Sequence, residues 1–353
     1  MGKVNLSICI PTYNFGKYIE ETLQSILCQI TEAVEVVIVD GASTDETQEI
    51  VRKLQQTFPQ IHYNRCDQRG GIDKDMAKTV EIAEGKYCWL FSADDLMKPN
   101  AISKILHEIQ SECDLYLCGL TLCTLAMKPF SNHPVCALNE EKIFDLSNAE
   151  ERLRYFQIAQ TTTAFFSFCG SLIFKKSRWD AVAPDPSFYG GCFAHAARLL
   201  CMIPHGLRVK YLPDSLLYKR GDNDSFLSHG MANRLRIVID GYHQIANTFF
   251  GAKSEEAFHI RRALRNEVQF YKFLNPKLEC QEKGLKKDLE LLNSLVQKHY
   301  ADPSLLNRTY KLLYQFTPLV LLKMARPILK IAKPIARSII RAFHKTGDVL
   351  VKG

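Results

Sequence analysis

Acidic side chains stand at three places in the first hundred residues where a short apolar run has just ended. Asp94 and Asp95 come shortly after a run that ends at Phe91, Asp40 ends an unbroken Val/Ile run, and Asp73 lies beyond a third run, two residues after a Gly-Gly pair. Adjacent carboxylates such as Asp94 and Asp95 repel each other unless a cation or a ligand's hydrogen-bond donors compensate. Mg²⁺ or Mn²⁺ suits such oxygen ligands and takes further ligands from phosphates and water. The pair therefore predicts a divalent-cation site, and the alternative is that one Asp caps the next helix.

The elements that would position these carboxylates alternate in type along residues 1–125. Strand and helix patterns follow one another in the order Leu6–Ile10, Lys17–Gln29, Val34–Val39, Asp45–Gln56, Ile61–Asn64, Asp73–Glu84, Lys86–Phe91, Asn100–Gln110 and Leu115–Leu122. Such alternation predicts an α/β fold with a mostly parallel central sheet and helices on both faces. Ligands bind beyond the carboxyl ends of the strands in sheets of this kind, so we expect the acidic residues to meet there.

Composition excludes several classes of protein. The 353 residues are 46% hydrophobic and 24% charged, which is typical of a folded globular chain. The net charge of +7 is concentrated in residues 305–353, which carry +9, so the rest sums to 7 − 9 = −2 and nucleic acid is not the expected partner. P-loop, dinucleotide-binding, zinc-protease and nucleophile-elbow motifs are missing. Twelve scattered cysteines predict free thiols in a reducing compartment.

Four segments in this order resemble family 2 glycosyltransferases of the GT-A fold. They are Ser7–Asn14 (S-I-C-I-P-T-Y-N), Val36–Asp45 (V-V-I-V-D-G-A-S-T-D), Gly71–Lys78 followed by A-E-G-K-Y, and Ala93-Asp94-Asp95 with Pro99. The later segments His195–Leu200 and Arg220–Phe226 resemble a branch with abequosyltransferase-like enzymes of bacterial O-antigen assembly. The resemblance implies that a nucleotide diphosphate sugar binds at Pro11, Thr12, Tyr13, Asp40, Gly71, Asp73, Lys78, Ala93 and Asp94. It also implies a divalent cation, Mn²⁺ or Mg²⁺, at Asp94 and Asp95.

The sequence departs from this family's pattern at the metal motif. Ser92 stands at the first position of D-x-D, where the family has Asp. Cation binding is then expected to be weaker, mediated by water, or partly replaced by a cationic side chain such as Arg220. The guanidinium of Arg220 is predicted to hold a diphosphate. Arg220 and Asp94 are both predicted to take part in catalysis. The alternative for Arg220 is a solvated turn.

A second departure concerns the catalytic base. The acidic pair that inverting members carry at the start of the helix predicted over Gly190–Met202 is missing. His195 is the titratable group of that segment near neutral pH and is the predicted general base, with a purely structural histidine as the alternative. Inversion and retention of the anomeric centre both stay open. The reserve candidates for the base are Asp185 and Asp222.

A basic tail closes the chain. Between Lys323 and Lys345, seven Lys/Arg residues fall within about 120° of a helical wheel, opposite Ile and Phe. Pro327 and Pro334 indicate a kinked helix. This pattern predicts an amphipathic helix on an anionic membrane surface, and packing on the domain is the alternative. The predicted domains are a GT-A domain over 1–228, a helical region over 229–315 and the tail over 316–353.

These observations together predict a cytoplasmic glycosyltransferase that is peripheral on the cytosolic face of the inner membrane. Its donor would be CDP-, UDP- or dTDP-linked, and the abequosyltransferase-like features suggest a 3,6-dideoxyhexose. Its acceptor would be a polyprenyl-diphosphate-linked oligosaccharide. A catalytically inactive nucleotide-binding assembly partner is the alternative that Ser92 and the missing acidic pair favour. A sugar-1-phosphate nucleotidyltransferase would need a Gly-rich basic loop where Pro11–Asn14 stands.

Overall fold

The computed structural model describes residues 4–317. The strands are β1 (Leu6–Thr12), β2 (Val34–Asp40), β3 (Ile61–Arg65), β4 (Tyr87–Leu90), β5 (Leu96–Met97), β6 (Leu115–Cys123), β7 (Pro129–Asn132), β8 (Lys142–Asp145), β9 (Leu172–Lys175) and β10 (Arg208–Lys219). The helices are α1 (Gly16–Leu27), α2 (Thr47–Thr57), α3 (Ile72–Ile82), α4 (Ala101–Glu108), α5 (Ala149–Ile158), α6 (Lys176–Asp180), α7 (Ala194–Leu200), α8 (Met231–Phe250), α9 (Glu255–Glu267), α10 (Tyr271–Glu282), α11 (Lys286–His299) and α12 (Leu305–Phe316).

All the strands belong to one sheet. Its main order is β3-β2-β1-β4-β9-β6-β10-β5, while β7 pairs with β6 and β8 with β10. The first four strands of this order run parallel, β9 lies antiparallel between β4 and β6, and β10 runs parallel to β6. The predicted α/β class is confirmed. The sheet is mixed rather than mostly parallel, because β9 and the short β5, β7 and β8 all pair antiparallel.

Helices cover both faces of the sheet, as the alternation of side chains along β1 shows. Leu6, Ile8 and Ile10 are fully buried in the cluster that contains Ile19 and Leu23 of α1. Cys9 points to the opposite face, where its thiol lies 3.7 Å from a backbone carbonyl of α3. Apolar burial on both sides fixes the register of β1 and so determines which residues stand at its carboxyl end.

Two compact units make up the described chain. One comprises residues 4–225 and 240–267, and the other comprises 226–239 and 268–317. The region predicted as helical over 229–315 is largely helical, and its stretch from 240 to 267 groups with the sheet-containing unit. Apart from its first two residues, the basic tail predicted over 316–353 lies outside the described residues. Within residues 4–317, no helix combines the length and apolar character that a membrane span needs.

Candidate active site

The carboxyl ends of β1, β2 and β4 lie side by side at one edge of the sheet, called here the carboxyl edge. Thr12 at the end of β1 is in register with Asp40 at the end of β2, and the Gly41 amide donates to the Thr12 carbonyl at 2.9 Å. On the other side of β1, the amide of Phe91 donates to the Cys9 carbonyl at 2.9 Å. The segments that follow the three strands therefore share one edge, as predicted.

Asp40 is fully buried, and the protein itself provides donors to both of its carboxylate oxygens. The Ser43 amide donates to Oδ1 at 2.7 Å, and the Tyr63 hydroxyl donates to Oδ2 at 2.5 Å. Burial and this carboxylate raise the pKa of Tyr63 well above its ordinary value, so the phenol stays a donor. Asp40 thus shapes the turn after β2, and its predicted contact with a nucleotide stays a prediction.

Asp75 is an acidic residue at this edge that the sequence reasoning missed. A Cβ on either Gly41 or Gly70 would lie 2.6 Å from a carboxylate oxygen of Asp75, so both glycines make room for it. Burial and the nearby Asp40 raise the pKa of Asp75, while Arg69 and Lys78 oppose the shift. The available signal was the spacing of Asp73 and Asp75 in the first turn of α3.

Two further groups lie near Asp75 at the carboxyl edge. The guanidinium carbon of Arg69 lies 4.2 Å from the centre of the Tyr13 ring, within cation–π range. The hydroxyl oxygen of Thr12 is buried and has no hydrogen-bond partner in the described part of the chain. An unsatisfied buried hydroxyl is uncommon in proteins, and a water molecule or a ligand can supply the partner.

Asp73 holds the loop that leads into α7. Its Oδ2 accepts from the amides of Gly190 at 2.8 Å and Cys192 at 3.2 Å, and its Oδ1 accepts from the amide of Ala194 at 3.2 Å. Asp73 therefore holds this backbone segment, and its predicted contact with a nucleotide stays a prediction. The helix predicted over Gly190–Met202 is confined to Ala194–Leu200. Gly190 and Cys192 adopt φ values of 83° and 66°, which a right-handed helix excludes.

His195 lies in the first turn of α7, and its side chain is buried. The carbonyl groups of Phe166 and Ser167 accept from the ring, while Nε2 is buried without a partner among the described residues. Burial lowers the pKa of His195, and the charge of Asp73 opposes the shift only partly. The imidazole is therefore neutral near pH 7, with one nitrogen held by the protein and the other able to accept a proton.

Asp94 and Asp95 form the acidic pair at the end of β4, and both are buried. Ser92 donates its hydroxyl to Oδ1 of Asp94, and the amide nitrogen of Asn223 donates to Oδ2 at 2.7 Å. The Arg220 backbone amide donates to Oδ1 of Asp95 at 2.8 Å. Burial and the charge of Asp94 raise the pKa of Asp95 to about 8. Asn223 is a second residue that the sequence reasoning missed, although it stands inside the quoted R-G-D-N-D-S-F segment.

Arg220 joins the acidic loop to two other segments. Its Nε donates to the Asp94 carbonyl at 2.8 Å, its Nη1 to the Leu125 carbonyl at 2.7 Å, and its Nη2 to the Glu21 carboxylate at 2.7 Å. The guanidinium also lies 4.7 Å from the centre of the Tyr18 ring. These contacts use three of its five N–H donors. Arg220 is thus a fixed part of the carboxyl edge, and its predicted contact with a diphosphate stays a prediction.

The remaining predicted residues support this edge or lie beside it. Gly71, with φ of 88°, precedes α3 in a conformation that favours glycine, and the Ala93 carbonyl accepts from Thr22 at 3.1 Å. Lys78 places its ammonium 4.0 Å from the Cys66 sulfur. The other three are Pro11, which is buried in β1, Asp185, which caps a short turn, and Asp222, which is exposed with φ of 56°.

The acidic pair fits a divalent cation in donor chemistry and in charge. Burial, and after it the charge of Asp94, raises the pKa of Asp95 to about 8, and a bound cation would favour the ionised form against both effects. Within residues 4–317, no group of three or more His, Cys, Asp or Glu side chains is arranged to hold a metal ion. A cation at Asp94 and Asp95 therefore depends on oxygen ligands from substrate and water, as is usual for Mg²⁺.

This sheet, with helices on both faces and an acidic pair after β4, has the architecture that the sequence predicted for a GT-A glycosyltransferase. Solved structures confirm it. The S. aureus protein TarS 1–349 in complex with UDP-GlcNAc has a TM-score of 0.56 at 19% identity, covering 84% of this chain and 81% of that chain. The mannosyltransferase PcManGT from Pyrobaculum calidifontis, in complex with GDP-Man and Mn²⁺, has a TM-score of 0.52 at 19% identity, covering 97% and 87%.

Sequence comparison places the chain within this class. Residues 7–180 match the family described as glycosyl transferase family 2. The abequosyltransferase RfbV of Salmonella typhimurium is 32% identical over 268 residues, which span 74% of this chain and 79% of that protein. The chain therefore belongs to glycosyl transferase family 2 and is a glycosyltransferase, as predicted.

Proposed function

We propose that the chain moves a sugar from a nucleotide diphosphate sugar to a hydroxyl group of a lipid-linked oligosaccharide in bacterial surface polysaccharide (O-antigen) synthesis. The observation that carries this proposal is the meeting of Thr12, Asp75 and the Asp94–Asp95 pair at one edge of the sheet. The similarity to an abequosyltransferase supports a 3,6-dideoxyhexose as the sugar. The donor is CDP-linked in this proposal, with UDP- and dTDP-linked sugars as the other candidates.

The corner formed by Thr12, Tyr13 and Asp75 binds the nucleoside. Asp75 lies in the buried space between two glycines, and its carboxylate accepts hydrogen bonds from N–H groups of a base or from a ribose hydroxyl. The Thr12 hydroxyl gains the partner that it lacks. The Tyr13 ring, with Arg69 on it, supplies a flat face for the base. Pro11, Asp40, Gly71 and Lys78 keep this corner in shape.

Asp94 and Asp95 hold the Mn²⁺ or Mg²⁺ ion, which when bound neutralises charge on the departing nucleotide diphosphate. Ser92 and Asn223 keep the Asp94 carboxylate oriented, which is the contribution the chain makes in place of the family's first acidic ligand. Arg220 fixes the position of this loop through the Asp94 carbonyl. Its two remaining N–H donors are the groups proposed to bind the diphosphate.

His195 acts as the general base. Its Nδ1–H side is held by backbone carbonyls, so Nε2 is the nitrogen that removes the proton from the acceptor hydroxyl. Nε2 is buried, so the acceptor reaches it only after a local rearrangement, and the loop from Gly190 to Phe193 is the segment proposed to move. Asp73 sets the resting position of that loop. Inversion and retention both remain compatible with this arrangement.

The test uses the purified full chain with CDP-, UDP-, GDP- and dTDP-sugars, with Mn²⁺, with Mg²⁺ and with EDTA. A short-chain polyprenyl-diphosphate oligosaccharide is the acceptor. We expect transfer with one donor, and its loss in Asp94→Asn but not in the exposed control Asp67→Asn. Nucleotide-dependent thermal stabilisation without turnover in any combination supports an inactive binding partner instead. Neither stabilisation nor turnover refutes the proposal.

The same test examines Asp75. A carboxylate only accepts hydrogen bonds, whereas the amide of Asp75→Asn also donates, so the variant is expected to change the order of nucleotide preference. The predicted result is an affinity for the preferred nucleotide about 10-fold to 100-fold weaker, from the loss of charge-assisted bonds. Unchanged preference in Asp75→Asn removes Asp75 from the nucleoside site. Asp67→Asn again controls for the loss of one negative charge.

We further propose that the tail over 316–353 holds the enzyme on the cytosolic face of the inner membrane, where a lipid-linked acceptor resides. The charge pattern of that tail supports this localisation. Vesicles containing anionic lipids are expected to sediment the full chain more strongly than a chain that ends at Thr317, which keeps α12 and lacks the basic residues that follow it. Equal sedimentation of the two chains refutes the anchoring role.

A further inference from the structure

Helix α12 exposes an apolar face. Leu305 is 83% exposed, Leu312 is 55% exposed and Phe316 is 70% exposed. Leu306 and Leu313 are exposed as well, while Asn307 and Tyr314 are the buried residues of the helix. Single exposed leucines are common on proteins, but five large apolar side chains on one three-turn helix form a patch.

The exposed side chains lie on one side of the helix. At 100° per residue, Leu305, Leu312 and Phe316 fall within about 40° of one another, and the two other leucines extend the face to about 120°. The buried Asn307 and Tyr314 project from the opposite side. One side of α12 therefore packs within its own unit. The opposite side exposes apolar side chains to solvent.

The charges around this face match an anionic surface. Helix α12 contains Arg308 and Lys311 and no acidic residue. The sequence that follows the described part, residues 318–353, adds eight Lys/Arg residues and Asp348 as its one acidic residue. A protein partner of ordinary composition would supply no such excess of negative charge, whereas an anionic leaflet combines it with an apolar interior.

We propose that the outward face of α12 is a lipid-contacting surface that enters the headgroup and upper acyl region of an anionic bilayer. This inference deepens the proposed membrane association, because it places a contact inside the folded chain, before the basic tail. It does not depend on which sugar is transferred. Failure of the membrane contact therefore leaves the glycosyl transfer reaction untouched.

A fluorescent reporter tests insertion directly in the full chain. The protein's two tryptophans, Trp89 and Trp179, are buried. Phe316→Trp adds an exposed indole on the proposed face, and Phe258→Trp adds one at a 43% exposed position of α9 as a matched control. With vesicles of phosphatidylglycerol and phosphatidylethanolamine brominated in their acyl chains, we expect a blue shift and quenching for Phe316→Trp only. Quenching of neither variant, under conditions where the protein sediments with vesicles, overturns the proposal.

A second measurement tests the contribution to binding. The triple variant Leu305→Ser, Leu312→Ser, Phe316→Ser is expected to lower the vesicle partition coefficient about 10-fold to 100-fold. The control Phe258→Ser, Leu285→Ser removes exposed apolar groups elsewhere and is expected to leave partitioning unchanged. Equal partitioning of the triple variant and the wild type overturns the proposal. A blue shift of Phe316→Trp without vesicles also overturns the proposal. If that shift depends on protein concentration, a second copy of the chain covers the face; if it does not, the chain's own tail covers it.

Discussion

Replacing Asp73 removes the acceptor of three backbone amides that belong to a loop more than a hundred residues away. Two of these amides, those of Cys192 and Ala194, are partly buried, whereas Gly190 is exposed and water can replace its partner. A hydrogen bond to a charged group contributes about 1.5 kcal/mol or more to stability. Loss of the two bonds from partly buried amides is therefore expected to lower the free energy of unfolding of Asp73→Ala by about 3 kcal/mol. Asp73→Asn keeps one carbonyl oxygen as an acceptor, so its free energy of unfolding is expected to fall by about half as much as that of Asp73→Ala.

The assay is urea unfolding of the full chain combined with hydrogen exchange of the three amides. We expect faster exchange at residues 190, 192 and 194 in both variants, together with the stated loss in the free energy of unfolding. Asp67→Asn and Asp67→Ala are the matched controls, because Asp67 is an exposed acid near the same edge. Unchanged exchange at these amides, or a loss no larger than in the controls, refutes the loop-holding role.

Donor affinity separates this role from the nucleotide contact that the sequence predicted for Asp73. A residue that touches the nucleotide changes the dissociation constant of the donor when it is replaced. A residue that holds the loop before His195 lowers kcat and leaves donor affinity near the wild-type value. Asp73→Asn is therefore expected to lower kcat with unaltered nucleotide binding, and weaker nucleotide binding with intact loop protection would support the predicted nucleotide contact instead.

Three further predictions concern single side chains. Gly221→Ala is expected to destabilise the fold by about 2 kcal/mol in urea unfolding, because the new Cβ would lie 2.4 Å from the Cys123 carbonyl oxygen; a loss below about 0.5 kcal/mol contradicts this. Asn223→Ala removes a 2.7 Å hydrogen bond to Asp94 and is expected to lower kcat/KM about 10-fold, and full activity would contradict its orienting role. The neutral, buried His195 stabilises the fold above its unfolded pKa of 6.5, and this contribution is lost as pH falls below that value. His195→Gln is therefore expected to lose less free energy of unfolding than the wild type between pH 7 and pH 5. If the free energies of unfolding of the two proteins fall in parallel over this range, the prediction is wrong.

Local patterns predicted much of the edge that carries the site. Buried Val/Ile runs and amphipathic segments gave β1, β2, α1 and α3 to within a few residues, because burial on both faces leaves strong periodic signals. The acidic positions at strand ends followed from the rule for parallel sheets. The antiparallel insertion of β9 could not be predicted in this way. Its four residues carry no signal of which strands they join, and the pairing partners lie far away in sequence.

Long-range backbone contacts account for the errors within the site. The segment 190–202 has helical composition, but its first residues donate their amides to Asp73 and so leave the helical conformation. Asp75 and Asn223 were missed because their importance depends on neighbours from other segments, Gly41 for one and Asp94 for the other. Side-chain chemistry was therefore visible in the sequence, while the partners that fix each side chain were not.

The acidic residues of the carboxyl edge fall into two groups according to the hydrogen-bond donors that the protein supplies to their carboxylate oxygens. Asp40 and Asp73 are engaged at both oxygens by protein donors, so removal of either is expected first to disturb a turn or a loop. Asp75 and Asp95 are buried carboxylates whose pKa values are raised by burial and by a neighbouring carboxylate, Asp40 for Asp75 and Asp94 for Asp95. Such groups gain most from a ligand's N–H donors or from a cation. Replacement of Asp75 or Asp95 should therefore first change nucleotide or metal affinity, whereas replacement of Asp40 or Asp73 should first affect stability and loop position. Asp94 combines both roles, because its oxygens accept from Ser92 and Asn223 while it lies beside Asp95 in the proposed cation site.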